Sequence, residues 1–161
     1  MELYHFGQTE NLVPVFDVNK KVRSTGDMPT WYTSKPCRIT EKSHISHCVF
    51  DSGWEFTEAF ILEKNPDVVS WVKNDHLGFE IVYVFGGVVH KYFPDFLVRL
   101  RNGKMLVLET KGQVNQQTTE KRKALEEWIG AVNELGDYGE WVSDMSVNVA
   151  DVDGIIAKWV K

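Results

Sequence analysis

The sequence predicts an α/β (α+β) protein with a central mixed β-sheet, antiparallel hairpins within it and helices flanking it. Three observations carry that expectation. β-branched and aromatic runs flank Gly86-Gly87 and again flank Asn102-Gly103, and each is a hairpin signal. Apolar residues recur at helical spacing before and after these hairpins. The inner strands, with Phe96, Leu97, Val98 and Leu106, Val107, Leu108, are apolar on both faces and so require cover on both sides.

Residues 12–18, 37–40 and 43–50 read as short strands, separated by a polar stretch rich in turn residues. Asp51-Ser52 offers an N-cap to a helix over residues 54–64, and Asn65-Pro66 stops it. Residues 67–73 read as a short amphipathic helix, with Val68, Val69, Trp71 and Val72 apolar. The Gly86-Gly87 hairpin spans residues 79–93, and the Asn102-Gly103 hairpin spans 94–111. A long helix runs from Thr118 or Thr119 to Leu135, its inner face marked by Ala124, Leu125, Trp128, Ile129, Val132 and Leu135, and Gly136 closes it. Residues 140–149 form a last strand and residues 151–160 a closing helix.

At 161 residues the chain is one domain, with residues 1–40 an N-terminal extension or interface and residues 41–161 the core. Its composition, 43% hydrophobic and 25% charged, is that of a globular fold. No run approaches the roughly 18 apolar residues of a membrane span, and residues 1–10 lack signal-peptide character, so a cytoplasmic location without membrane partners is expected. Cys37 and Cys48 form no zinc or disulfide pattern. The net charge of −5 argues against broad phosphate binding by the domain alone, unless a carboxylate-held metal supplies positive charge locally.

Ionisable residues set into apolar strands are the anomaly. Tyr92-Phe93-Pro94-Asp95-Phe96 is followed on the partner strand by Leu108-Glu109-Thr110-Lys111-Gly112. A two-residue Asn102-Gly103 loop would set Asp95 opposite Thr110. A three-residue loop, with Gly103 in a G1 bulge, would set it opposite Glu109, with Lys111 further along the same face. Directly opposed Cβ atoms lie about 4.5 to 5.5 Å apart, close enough for two carboxylates to share a cation. Oxygen ligands in small number suit Mg²⁺, with Mn²⁺ as substitute. Lys111 would then position a water and stabilise charge on a phosphate. The competing reading is an Asp95–Lys111 ion pair with Glu109 solvated.

Pro94-Asp95 with Glu109-Thr110-Lys111 resembles the PD-(D/E)xK nuclease motif. With Ser43-His44, Asp51, Trp54-Glu55 and Val72-Lys73-Asn74, the likeness extends over roughly residues 40–135 to the C-terminal nuclease domain of type III restriction-type helicase-nucleases. The resemblance implies a restriction-endonuclease-like core and Mg²⁺-dependent hydrolysis of DNA. It implies Asp95 and Glu109 as metal ligands with the Thr110 backbone carbonyl, Lys111 as the catalytic lysine and Glu55 as a supporting acid, with Glu58 one turn on as its rival. It further implies a larger protein, with a helicase/ATPase motor in the same or a partner chain and a modification methyltransferase as a possible further partner. Lys121 and Arg122, early in the long helix, could reach a DNA phosphate or could form a solvated basic face. The alternatives are a catalytically inactive nuclease-fold module that binds DNA or acts as a scaffold, and an unrelated ligand-binding domain whose charges form an ion-pair network.

Overall fold

A computed structural model describes residues 2–5, 12–15, 24–28, 30–110 and 115–161. The chain is mixed α/β, with several sheets and three helices among these residues. A small hairpin of β1 (Glu2–His5) and β2 (Leu12–Val15) lies against the long helix, and β3 (Cys37–Ile39) pairs with β4 (His47–Val49). Next come α1 (Gly53–Lys64), β5 (Val68–Lys73), the hairpin β6 (Ile81–Phe85) and β7 (Val88–Tyr92), then β8 (Phe96–Leu100) and β9 (Met105–Thr110). The chain ends with α2 (Gln116–Leu135), β10 (Trp141–Ser146) and α3 (Val152–Val160).

The central sheet has the order β10-β9-β8-β5, antiparallel except for the parallel β9–β10 pair. That parallel pair requires a crossover, which α2 supplies. Its N-cap is Asn115, whose side chain accepts from Thr118 N, and Gly136 ends it in the left-handed conformation at φ 77°. α1 is capped by Ser52, whose hydroxyl accepts from Glu55 N at 3.2 Å.

The expected short helix over residues 67–73 is instead strand β5, paired with β8. A register shift between Val68 and Ser70 explains the misreading. The bulge puts buried Val68 and Trp71 three residues apart, the spacing of a helix face, within an extended chain. The β-branched and aromatic content of the run is the signal that favours strand.

Alternation along the strands divides the core. Phe96, Val98 and Leu100 of β8, with Leu106 and Leu108 of β9, pack with Ala59 and Leu62 of α1 and Ile155 and Ile156 of α3. Trp71 and Phe96 meet there edge to face at 6.0 Å. On the other face, Val107 and Leu97 pack with the β6–β7 hairpin and with Leu125, Trp128, Ile129 and Val132 of α2. Both faces of β9 are therefore covered, and each large side chain fully buried there contributes about 1.5–3 kcal/mol. Trp71 and Trp128 are core residues, whereas Trp54 is 42% exposed on α1, and Leu135, expected on the inner face of α2, is 40% exposed at the helix end next to Gly136. No helix among the described residues is long and apolar enough to cross a membrane.

Candidate active site

The β8–β9 turn decides whether the acidic residues meet. Gly103 N donates to Leu100 O and Leu100 N to Lys104 O, both at 2.9 Å, with Gly103 at φ 89°. This is the three-residue loop with a glycine bulge. β8 and β9 consequently pair Phe96 with Leu108 and Val98 with Leu106, and the next step along this register brings Asp95 to Glu109. Asp95 N donates to Glu109 Oε1 at 3.2 Å, and Thr110 N donates to Asp95 Oδ2 at 2.7 Å. On the other flank Asn74 N donates to Asp95 O at 2.8 Å, and β10 sets Met145 beside Glu109. Asn74, Asp95, Glu109 and Met145 thus form one row across the sheet. Pro94 is buried just before Asp95, its fixed φ suiting the entry into the strand.

The neighbours of the row differ by face. Thr110 shares the α1 face with Leu106 and Leu108, and its hydroxyl donates to Glu58 Oε2. Glu58 is wholly buried. Ser146 Oγ adjoins Glu58 but gives its proton to Asn148 O at 2.9 Å, and Glu58 Oε1 has no hydrogen-bond donor among the described residues. Burial pushes the Glu58 carboxyl above its usual range; the Thr110 hydrogen bond and the nearby Ser146 hydroxyl oppose this, and the charges of Asp95 and Glu55 add to it.

Glu109, 5% exposed, points with Val107 toward the α2 face. A pocket opens there, lined by Tyr92, Glu109, Thr118, Lys121, Arg122 and Ser143 among others. Lys121 Nζ stands 5.6 Å from the Tyr92 ring centre and 5.9 Å from that of Tyr83. Arg122 instead pairs with Glu126 at 3.0 Å on the solvent side of the helix.

Glu55 is engaged elsewhere. Its carboxylate accepts from Asp51 N at 2.9 Å and lies 2.9 Å from Lys73 Nζ. Lys73 is 8% exposed and also reaches Asp51 Oδ2 at 2.9 Å and Val49 O at 3.1 Å. These partners outweigh burial and raise the Lys73 pKa. Of the two acids weighed on α1, the structure brings Glu58 to Thr110 and ties Glu55 to β5. Lys111 and Gly112 lie outside the described residues.

Sequence reasoning assigned no role to Tyr92, Lys73 or Asn74, although all three fall in the runs that carry the resemblance. The signal was present: Lys73 is a lone ionisable group at the end of a strand that pairs with Phe96, a fully buried residue.

The donor set fits a hard divalent cation. Asp95 and Glu109 are adjacent carboxylates, Thr110 follows with its carbonyl, and Mg²⁺ commonly takes one or two carboxylates and keeps several waters. Among the described residues no group of three or more His, Cys, Asp or Glu could by itself hold a metal ion. Comparisons with protein-family models, curated proteins and solved structures find no match.

Proposed function

We propose that the chain is a Mg²⁺-dependent endonuclease domain with a restriction-endonuclease-like core, hydrolysing DNA phosphodiester bonds as the cleavage domain of a restriction or defence helicase-nuclease. The observation that carries this reading is the register that brings Asp95 and Glu109 side by side, with Thr110 N on Asp95. Two adjacent carboxylates repel one another, and a shared cation would be attracted to both.

Asp95, Glu109 and the Thr110 carbonyl would hold Mg²⁺, which supplies at the phosphate the positive charge that this acidic domain lacks. The Thr110 amide fixes Asp95, and the Asp95 amide fixes Glu109, so the two carboxylates are restrained before substrate arrives. Lys111, the residue after Thr110, orients the attacking water and faces the charge that develops on the phosphate. Glu58, not Glu55, is the acid from α1 that supports the site, through the Thr110 hydroxyl. Lys121 meets a DNA phosphate from the pocket wall. With a net charge of −5, binding energy for DNA comes from a translocating helicase motor in the same or a partner chain.

Cleavage of supercoiled plasmid and of single-stranded DNA with Mg²⁺ tests this, comparing wild type with Asp95→Asn, Glu109→Ala and Lys111→Ala. Cutting by the wild type that all three variants lose is the expected result. Cutting that survives in Lys111→Ala and Glu109→Ala would refute the assignment.

A further inference from the structure

His76 is the one non-glycine residue with a positive φ among the described residues, at 59°. That backbone region is costly for a side chain of this size, and such strain clusters at functional sites. Two neighbours fix the ring. Its Nδ1 lies 2.6 Å from Asp75 Oδ1, and its plane stacks on the Trp31 indole, with 4.6 Å between ring centres and 20° between planes. A carboxylate only accepts, so Nδ1 carries the hydrogen of that contact and Nε2 is the atom that exchanges a proton with a ligand. Both side chains stay open to solvent, His76 at 46% and Asp75 at 29%. An imidazole with one nitrogen on a carboxylate and the other accessible is the arrangement of a general acid or base.

The turn that carries this dyad starts at the row of carboxylates. Asn74 N donates to Asp95 O and Asn74 Nδ2 to Phe79 O, both at 2.8 Å, which closes residues 74–79 into a turn at that end of the sheet. Two residues span at most about 7 Å, so the His76 backbone lies within that distance of Asn74. Phosphodiester hydrolysis needs a proton for the oxygen that leaves as well as a nucleophile. Asp95, Glu109 and the Thr110 carbonyl, as ligands of a cation, can only accept.

We infer that His76 is a catalytic residue, the general acid that protonates the oxygen leaving the phosphorus, and that Asp75 and Trp31 position it. This rests on the proposed nuclease reading. The water oxygen forms the new bond to phosphorus, and a proton of that water passes to solvent. The bond from phosphorus to the leaving oxygen breaks with its electron pair staying on that oxygen, which takes the Nε2 proton. Solvent then reprotonates the imidazole.

The test compares two phosphodiesters in the presence of Mg²⁺: plasmid DNA, whose leaving alkoxide needs a proton, and bis(p-nitrophenyl) phosphate, whose nitrophenolate leaves without one. The proteins are the whole chain as wild type, His76→Asn and Asp75→Asn. Asparagine tolerates the left-handed backbone, and urea unfolding shows that each variant is folded. His76→Asn is expected to slow plasmid cleavage about 100-fold or more and to slow hydrolysis of the nitrophenyl ester far less, with Asp75→Asn showing the same selective loss to a smaller extent. Plasmid cleavage at the wild-type rate by His76→Asn, equal loss on both esters, or a wild type that cuts DNA and leaves the nitrophenyl ester intact would each overturn the inference and leave the nuclease reading standing. A wild type that cuts neither would overturn both.

Discussion

Lys73 Nζ lies 2.9 Å from Glu55 Oε2, a buried ion pair that joins the last residue of β5 to the first turn of α1. The pair gives Glu55 a structural role and separates it from Glu58, one turn further on, which meets Thr110. The two acids on α1 should therefore fail differently. Glu55→Gln weakens the hold on Lys73 and lowers stability. Lys73→Met removes the counter-charge of the largely buried Glu55, while Asp51 keeps Lys35, and should lower stability more than Glu55→Gln does. Glu58→Gln should instead reduce cleavage in a protein that remains folded. Urea unfolding and plasmid cleavage on the three variants check this, and a nuclease defect larger in Glu55→Gln than in Glu58→Gln would contradict it.

Asp51 provides the pH dependence. Its hydrogen bonds to Lys35 and Lys73 lower its pKa to about 2, against roughly 3.9 in an unfolded chain. A carboxylate depressed on folding stabilises above its unfolded value, and that contribution is lost as pH falls through the folded value. Stability from this group is thus complete above about pH 4 and disappears toward pH 2. Asp51→Asn should flatten the slope of the urea midpoint in that window; an unchanged slope would show that the lysines do not hold Asp51 in solution.

Gly103 sets the register of the site. At φ 89°, with nothing within 4 Å of the place a Cβ would occupy, an alanine there meets no clash and only the backbone preference opposes it. Gly103→Ala should cost about 1–3 kcal/mol on that ground. Measured in urea together with Mn²⁺ affinity, it should lower stability and leave the carboxylate pair able to bind if the loop keeps its three-residue form.

Lys121 and Arg122 should differ despite being neighbours. Lys121 stands over two tyrosine rings in the pocket, while Arg122 is spent on Glu126. Lys121→Gln should raise the DNA concentration needed for half-maximal cleavage and reduce the salt slope of binding by about one. Arg122→Gln should change both much less.

Most strands and both long helices were legible because their signals are local. Gly86-Gly87 turns with both φ angles positive, Ser52 caps α1, and Gly136 ends α2. β5 was misread because its bulge imitates helical spacing, which only pairing with β8 resolves. The Asp95–Glu109 meeting was legible as one of two alternatives, since two loop lengths fit Arg101-Asn102-Gly103 and the choice depends on the conformation of Gly103. The partners of Glu55 and Glu58 were not legible. Each is a long-range contact between elements whose relative placement depends on the packing of both sheet faces, which periodicity within one segment does not encode.

The central claim is that Asp95 and Glu109 share a divalent cation, and Mn²⁺ calorimetry on wild type, Asp95→Ala and Glu109→Ala measures it most directly. The account predicts binding by the wild type that both substitutions abolish in proteins that still unfold cooperatively. A wild type that takes up no Mn²⁺, or variants that bind it as well as the wild type does, would contradict the account and leave these carboxylates as structural charges of the sheet.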